Sequence, residues 1–519
     1  MDEKIKKYLK EIEPREYQWK IFDTCKNKNC LVILPTGTGK TLIALMLTIE
    51  RMIKFPDKKI LFLAPTRPLA EQHLNYFKKN LPELFATMEL FTGKTPAEKR
   101  KKLWQNAEII FSTPQCIRND LKNNFYNLND VSLLIEDECH RCVKNYSYTY
   151  IAEKYKQQSE NSRILGLTAS PGHEKEKIKK IFKNLGIEDI EIRTRESEDV
   201  KSYLQELKFN IIKLDFPPEF LEIKELLKQI YKRKIQELKN RKLLFGFDSK
   251  TALLKLQAKI MNSIMAGKKN FNMFAGASVC AQAIKIHHAI ELLETQTLSS
   301  FESYMQDLFE QARKQQSKAV VKLVNQEEFK LAYSMLKDLI AKKIEHPKLG
   351  KLKEIVEKEI KKNLKAKIMV FAQYRDTSTK ICKELNQIQN INARVFVGQA
   401  KKIRKKETTG MNQKEQQQLI KEFSLGIINV IASTSIGEEG LDIPEVNMVI
   451  FYEPIPSAIR QIQRRGRTAR LQKGELIILV TKNTRDEAYY WSAFNKEKKM
   501  HKILNTIKEE LNQDIQKTL

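Results

Sequence analysis

Short apolar runs that alternate with helical stretches constrain the fold of this chain more than any other feature of its sequence. Up to about Val200 the runs are CLVILP, KKILFLAP, AEIIFSTP, VSLLIEDE and SRILGLTAS. Each run is too short for a helix, is rich in Ile, Leu, Val or Phe, and ends in a turn signal. Continuous apolar strands separated by helices are typical of a parallel sheet that is covered on both faces.

This alternation stops after Val200 and resumes near His346. Between about Lys208 and Lys343 there are few Gly or Pro residues, long stretches of Lys, Glu, Leu and Ile, and no clear strands, which predicts helices. The second set of strand-like runs is AKIMVFAQY, ARVFVGQA, IINVIAST, VNMVIFYEP and GELIILVTK. We therefore predict an α/β fold in which two parallel-sheet domains, 1–205 and 344–519, are separated by an all-α insertion domain, 206–343. The basic stretch KKIRKKETTG (401–410) is predicted to be a loop.

Composition excludes several classes of protein. A chain of 519 residues is too long for one hydrophobic core, and 41% hydrophobic with 30% charged residues fits a folded, soluble protein. No apolar run approaches the ~18 residues of a membrane span, and the charged N-terminus lacks the apolar region of a secretion signal. Seven scattered cysteines, an odd number, indicate a reducing compartment. We expect a cytoplasmic protein of prokaryotic type, nucleoid-associated if archaeal, with no membrane partner.

The net charge points to a polyanion but does not identify it. The chain has 93 Lys and Arg against 64 Asp and Glu, a formal charge of +29. One interpretation is a Lys-rich composition with solvated helix faces, and the other is a nucleic-acid partner. Charge alone leaves both open, and the motifs below favour nucleic acid.

The stretch LPTGTGKT follows a predicted strand and opens a predicted helix, as a phosphate-binding loop does. The two glycines allow a tight turn whose N–H groups point at phosphate oxygens, and the helix N-terminus adds partial positive charge. Lys40 would reach the β- and γ-phosphates, and Thr41 would hold Mg²⁺. The strict pattern has Gly where Leu34 stands. We expect nucleotide contacts from Leu34, Pro35, Thr36, Gly37, Thr38, Gly39, Lys40 and Thr41.

The stretch IEDECHRC supports either a metal–phosphate site or a zinc site. Asp137 and Glu138 end a predicted parallel strand, at the same sheet edge as Lys40. Asp137 would then hold Mg²⁺, and Glu138 would polarise the attacking water. Cys139, His140 and Cys142 supply three zinc ligands at most, where a structural site needs about four. We therefore favour the Mg²⁺ interpretation, with His140 as a polar link to the rest of the nucleotide site.

Together these motifs resemble those of a superfamily 2 helicase. PREYQWKIF resembles the Q-motif, LPTGTGKT motif I, APTRPLAEQ motif Ia, FTGK and STPQ the Ib-type motifs, DECH motif II and TASPG motif III. VFAQYRDT resembles motif IV, STSIGEEGLDIP motif V and QIQRRGRTAR motif VI. The resemblance implies two RecA-like domains with ATP and Mg²⁺ between them. It adds Arg15 and Gln18 near adenine, Gly440 and Asp442 at the nucleotide, Gln463 near the γ-phosphate, and Arg467 and Arg470 as arginine fingers.

Longer stretches resemble the archaeal Hef and FANCM helicase family in particular. They include GLTASPG, HHAIELLETQ, HPKLGKLKEI, FVGQA, IGEEGLDIPEV and TRDEAYYWS. Ala469 replaces the usual Gly of motif VI, which affects a turn. Many Hef proteins continue into a nuclease domain, but the chain contains no E-R-K-x-x-x-D stretch, so we expect a helicase-only member or a fragment. Its protein partners are unknown.

The resemblance also implies a path for nucleic acid across both domains, either opposite the nucleotide edge of the sheets or along their tops. The residues it places on the nucleic-acid backbone are Arg67, Thr92, Thr113, Gln373, Gly398 and Thr434. Short hydroxyls, backbone N–H groups and Arg grip phosphates without reading bases, so we expect recognition of shape. The insertion is either a spacer or a basic arm that contacts duplex through its lysines.

Two aromatic or histidine-rich stretches have an alternative explanation in packing. His287 and His288 are adjacent on a predicted helix and point in different directions, which favours packing over a shared metal. The stretch YYW (489–491) favours docking of a C-terminal helix over base stacking.

Three functions are consistent with these features. The first is an ATP-dependent DNA helicase or translocase that acts on forked or branched DNA in replication-fork repair and recombination. The second is an RNA-directed duplex translocase of the RIG-I or Dicer-helicase type. The third is a non-catalytic scaffold that binds nucleic acid, which the intact motifs I, II and VI disfavour.

Overall fold

The computed structural model describes residues 2–10, 12–267, 270–398, 403–404, 407–408, 410–437, 443–468 and 473–518. Within these ranges the chain forms two parallel sheets with a helical domain between them. None of the helices described there is both long enough and apolar enough to cross a bilayer.

The first sheet has seven strands in the order β3-β4-β2-β5-β6-β1-β7, all parallel. Its strands are β1 (Cys30–Ile33), β2 (Lys59–Leu63), β3 (Met88–Phe91), β4 (Ile109–Ser112), β5 (Val131–Asp137), β6 (Ile164–Thr168) and β7 (Asp189–Ile192). The helices are α1 (Asp2–Lys6), α2 (Glu16–Asn27), α3 (Lys40–Lys54), α4 (Arg67–Asn80), α5 (Ala97–Asn106), α6 (Pro114–Lys122), α7 (Ser147–Gln158), α8 (Lys175–Leu185) and α9 (Glu198–Lys201).

Helices cover both faces of this sheet, as the continuous apolar runs predict. Alternate residues of a strand point to opposite faces. Leu31 and Ile33 of β1 lie in one buried core, and Cys30 and Val32 lie in the other. The sheet is therefore the middle layer of a three-layer α/β domain.

The insertion contains six helices. They are α10 (Pro218–Asn240), α11 (Lys250–Met265), α12 (Phe271–Thr295), α13 (Leu298–Arg313), α14 (Lys318–Val324) and α15 (Glu327–Ala341). One apolar core joins α10 and α12 to α13, α14 and α15, and a second core joins α10, α11 and α12. The prediction of a helical domain between two parallel sheets is confirmed.

The second sheet has six parallel strands in the order β10-β13-β9-β14-β15-β8. Its strands are β8 (Leu207–Leu214), β9 (Ile368–Phe371), β10 (Ala393–Phe396), β13 (Val430–Ser433), β14 (Met448–Phe451) and β15 (Gly474–Thr481), and a separate antiparallel pair is formed by β11 (Ile403–Arg404) and β12 (Glu407–Thr408). The helices are α16 (Pro347–Lys362), α17 (Arg375–Leu385), α18 (Gln413–Ser424), α19 (Ala458–Arg465) and α20 (Arg485–Thr518). Half of the predicted loop 401–410 lies outside the described residues, and where it is described the prediction is wrong in part, because 403–404 and 407–408 pair as β11 and β12.

The prediction that 208–343 holds no strand is wrong at its start. Strand β8 precedes the helices of the insertion and pairs with β15 over eight residues, from Leu207 opposite Gly474 to Leu214 opposite Thr481. An edge strand has one neighbour and is half exposed, so β8 carries lysines and lacks a continuous apolar run. The domain bounds at 205 and 343 remain predictions.

The last helix, α20, connects the two α/β domains. Tyr490, near its start, packs in the core of the second domain. Met500, Leu504 and Ile507, further along, are buried in the core of the first domain. The predicted docking of the YYW stretch is therefore confirmed for Tyr490, whereas Trp491 is half exposed.

Candidate active site

The phosphate loop lies between β1 and α3, as predicted. Gly37 and Gly39 have φ of 84° and 82°, in the left-handed region that favours glycine. The Thr38 hydroxyl donates to the Pro35 carbonyl oxygen at 2.7 Å. The Lys40 ammonium donates to the carbonyl oxygens of Leu34 and Pro35 at 3.0 and 3.3 Å. The lysine therefore lies within the turn at the N-terminus of α3, where an anion is favoured.

Gln18 of α2 contacts the backbone of this loop. Its Nε2 donates to the Thr38 carbonyl oxygen at 3.1 Å, and its Oε1 accepts from the backbone N–H of Arg15 at 2.8 Å. A Cβ on Gly39 would lie 2.2 Å from Gln18 Nε2, so a side chain there would displace the Gln18 amide in addition to straining φ. The Arg15 guanidinium lies over the Tyr203 ring, 4.9 Å from its centroid. Contact of Gln18 and Arg15 with adenine remains a prediction.

Asp137 ends β5 and is fixed on both its backbone and its side chain. Its Oδ2 lies 2.8 Å from His73 Nε2, and its carbonyl oxygen accepts from the Tyr148 hydroxyl at 2.7 Å. Burial raises the pKa of Asp137, but the hydrogen bond and charge of His73 and the charge of Lys40 outweigh burial and lower the pKa overall. The ionised carboxylate and the Thr41 hydroxyl are oxygen donors, which Mg²⁺ prefers, and Mg²⁺ commonly takes few protein ligands beside phosphates.

Glu138 and His140 form the polar connection predicted after this strand. Glu138 has φ of 51°, a left-handed conformation that costs energy for a non-glycine residue. His140 Nδ1 lies 3.2 Å from Glu138 Oε2 and 3.2 Å from the Thr168 hydroxyl. Because Thr168 also accepts from the backbone N–H of Ser170 at 3.1 Å, His140 links motif II to motif III.

The neighbouring cysteines pack instead of forming a zinc site. Cys139 and Cys142 are fully buried in the apolar core, and burial raises the pKa of both thiols. The Cys139 sulfur would lie 3.1 Å from a Cβ placed on Gly166. In the part of the chain that the structure describes, no three His, Cys, Asp or Glu side chains gather as a metal site. His287 and His288 likewise contact Tyr231 and Glu291 within the helical domain.

The second domain contacts the phosphate loop through the turn after α19. A Cβ on Gly466 would lie 2.4 Å from the Thr36 Cβ, so the backbone of this turn touches the loop. Arg467 follows directly and is buried, and Gln463 is buried on α19. Ile459 Cδ1 lies 3.8 Å from the position of a Cβ on Gly172, which brings α19 against motif III. The turn that carries Arg467 is therefore next to the loop that carries Lys40.

Three predicted site residues cannot be placed. Gly440, Asp442 and Arg470 lie outside the described residues. Their roles at the nucleotide remain predictions that rest on the resemblance of motifs V and VI.

The predicted nucleic-acid contacts form two groups. Arg67, Thr92 and Thr113 follow the carboxyl ends of β2, β3 and β4, which are neighbours in the first sheet. Gln373, Gly398 and Thr434 line one cavity of about 620 Å³ between the second domain and α12 and α13. All six follow strand ends, so they lie along the tops of the sheets. The contacts themselves, and the choice between the two paths, remain predictions.

Two residues of the site were not predicted from the sequence. His73 and Tyr148 both contact Asp137, one through its side chain and one through its backbone. His73 comes one residue after the quoted motif Ia, and its position there is a signal that the sequence offered. Tyr148 lies at the start of α7 with no motif around it.

Three family models match the chain in order. "DEAD/DEAH box helicase" matches residues 15–178, "Putative ATP-dependent RNA helicase, helical bundle" matches 219–346, and "Helicase conserved C-terminal domain" matches 348–472. The crystal structure of the Pyrococcus furiosus Hef helicase domain is similar, with 42% sequence identity and a TM-score of 0.71 over 94% of this chain and 100% of that chain.

Two curated relatives are similar over nearly all of this chain. The "Putative ATP-dependent RNA helicase" of Methanocaldococcus jannaschii is 40% identical over 96% of this chain and 61% of its own length. The "ATP-dependent DNA helicase mph1" of Neurospora crassa is 33% identical over 92% of this chain and 41% of its own length. This chain therefore spans less than two thirds of either relative.

Proposed function

Because the chain belongs to the superfamily 2 helicases and is close to the Hef and FANCM family, we propose that it hydrolyses ATP to unwind DNA or to move along it. Its substrate is forked or branched DNA, in replication-fork repair and recombination. The observation that carries the ATPase proposal is the contact of Gly466 with Thr36, because it joins the arginine-bearing turn to the phosphate loop. The choice of DNA rests on the names of relatives such as mph1.

The side chains of the cleft divide the reaction between them. Lys40 and the N–H groups of its loop bind the β- and γ-phosphates. Thr41 and Asp137 would hold Mg²⁺, which would supply positive charge beside the phosphates. Glu138 orients the attacking water and accepts its proton. Arg467, and Arg470 with it, supply fixed positive charge to the transferred phosphoryl group, a contribution of about 10³–10⁵ in rate for an arginine finger. Domain motion then couples hydrolysis to movement along the strand.

The insertion acts as a basic arm that binds duplex DNA. Helix α11 exposes Lys255 and Lys259 on one face. The double variant Lys255→Glu with Lys259→Glu should weaken binding to forked DNA. The slope of log K against the logarithm of the salt concentration should become less steep by about 0.9 for each phosphate contact that is lost. The matched control changes the exposed Lys358 and Lys362 of α16 to Glu, with the same change in net charge. Equal binding by the two double variants would favour the spacer interpretation.

An RNA substrate is the second candidate, and one observation favours it. Both the Methanocaldococcus relative and the helical-bundle model bear the name of an RNA helicase. ATPase assays with forked DNA, linear duplex DNA, duplex RNA and no nucleic acid separate the candidates. We expect the strongest stimulation by forked DNA and loss of activity in Lys40→Ala. Stimulation by RNA alone would favour the second candidate, and no ATPase activity at all would favour a scaffold.

A further inference from the structure

His73 contacts the metal-binding carboxylate but has no part in the reaction proposed above. Its ring is almost fully buried, and its Nε2 lies 2.8 Å from Asp137 Oδ2. The ring of Phe62, on the neighbouring β2, lies 4.4 Å away between centroids at an interplanar angle of 33°. This packing fixes the plane of the imidazole, so the imidazole in turn fixes one oxygen of Asp137.

Helix α4, which carries His73, also carries a predicted contact to nucleic acid. Arg67 is its first residue and lies six positions before His73, about 9 Å along the helix axis. The Arg67 Nε lies 3.9 Å from Glu71 Oε2, an ion pair within α4, and neither Nε nor Nη1 makes a hydrogen bond among the described residues. One rigid helix therefore joins the proposed nucleic-acid grip to the proposed Mg²⁺ ligand.

The same helix also borders the second domain. Glu71, His73 and Tyr76 of α4 line a cavity of about 700 Å³ together with Thr41 of the phosphate loop and with α18. A shift of α4 along this cavity would move the imidazole relative to β5. Because the Tyr148 hydroxyl holds the Asp137 carbonyl oxygen, such a shift would reorient the carboxylate and leave the main chain in place.

We propose that His73 is a positioning residue that couples the grip of α4 on nucleic acid to the orientation of Asp137. This inference rests on the proposed function. A side chain that orients a metal ligand typically affects metal affinity or activity by 10–100-fold. His73 lies on the helix whose N-terminus contacts nucleic acid in this proposal. Its hydrogen bond to Asp137 therefore transmits the effect of bound nucleic acid to the metal ligand and stimulates ATP hydrolysis.

Two polar variants of His73 test this proposal. Gln can place its amide N–H near the position of Nε2, whereas the shorter Asn cannot reach Asp137. Two readouts apply to the full chain: the Mg²⁺ concentration that half-saturates binding of a fluorescent, non-hydrolysable ATP analogue, and the ratio of ATPase rates with and without forked DNA. We expect His73→Asn to raise that Mg²⁺ concentration by about tenfold and to lower the ratio toward one. We expect His73→Gln to restore much of both.

The outcomes separate this inference from the proposed function. If nucleic acid does not stimulate the unmodified protein, the proposed function itself is wrong. If nucleic acid does stimulate it, and His73→Asn keeps both the Mg²⁺ dependence and the stimulation ratio, the role of His73 is wrong. Equal defects in His73→Asn and His73→Gln would also overturn it, because a helix-packing role does not distinguish amides by reach.

Discussion

At the scale of single residues, Gly466 decides how closely the two domains can meet. Its φ of −68° suits any residue, so an alanine there is restricted only by the contact with Thr36. We expect the clash in the closed cleft to cost about 1.4 kcal/mol, so Gly466→Ala should lower kcat about tenfold. Steady-state ATPase kinetics measure this. Gly350→Ala on α16, where no atom lies within 4 Å of the new Cβ, is the control and should be neutral.

Glu136 precedes Asp137 on β5 and differs from it in environment. Burial raises the pKa of Glu136 from its ordinary 4.5 to about 8. Between these values the folded protein keeps a proton that the unfolded chain releases, so the free energy of unfolding falls as pH rises. Glu136→Gln removes this titration. The free energy of unfolding of the variant, minus that of the unmodified protein, should therefore increase between about pH 5 and about pH 8.

Denaturant unfolding at several pH values measures that difference. Glu136→Gln should retain ATPase activity, whereas Asp137→Asn should lose it. A Glu136→Gln protein with the same slope of stability against pH as the unmodified protein would contradict the assignment of a neutral, buried Glu136.

The motifs predicted which residues of the cleft carry chemistry but not how they are held. Lys40 and Asp137 were predictable because a strand–turn–helix pattern and parallel strand ends place them at one edge. The motif beside His73 marked its position, but its contact with Asp137 was not predictable, because that contact depends on how α4 packs beside β5. The hydrogen bond from Gln18 to Thr38 depends likewise on the packing of α2 beside the phosphate loop.

At the scale of elements, the interior strands were all predictable, and of the four edge strands only β10 was, from its run ARVFVGQA. All ten apolar runs form strands, and nine of these strands have neighbours on both sides, where a strand covered by helices on both faces must be apolar throughout. Strands β3, β7 and β8 lie at sheet edges and were missed. Their sequences MELF, DIEI and LKFNIIKL keep polar side chains where the strand meets solvent.

Helix α20 depends on apolar contacts with the first domain. Leu504 is fully buried there, so Leu504→Ala should cost about 2–5 kcal/mol of local stability. We expect limited proteolysis to cleave the C-terminal half of α20 faster in this variant. Trp491→Ala is the control, because Trp491 is 51% exposed and should matter little. Equal cleavage rates in both variants would mean that the docked position of the helix is not maintained in solution.

At the scale of the whole molecule, the contacts of Gly466 with Thr36 and of α20 with the first domain give one arrangement of the two α/β domains. A reaction cycle driven by domain motion requires at least one other arrangement of these domains. The seven native cysteines are buried, so added surface cysteines can be labelled selectively. Suitable positions are Leu84 in the first domain, which is 98% exposed, and Phe247 in the insertion, which is 91% exposed. The substitutions are Leu84→Cys and Phe247→Cys.

Energy transfer between dyes at these two positions should change when an ATP analogue and Mg²⁺ are added together. The Lys40→Ala background is the control and should show no change at the same concentrations. A transfer efficiency that is identical with and without nucleotide in the unmodified background would contradict a cycle driven by domain motion.

Strand β8, which leads into the helical insertion, pairs with β15 of the second sheet over eight residues. We therefore expect the insertion to move together with the second domain. Thr377 and Lys348 of that domain fasten the ends of α12 and α13 through buried hydrogen bonds. Helix α10 alone, with 23 residues, is about 35 Å long. A rotation of 10° at the cleft would therefore swing the far end of the arm by about 6 Å, roughly two base-pair steps along a duplex. If the domains rotate in this way, the length of the insertion sets how far its end moves along the duplex.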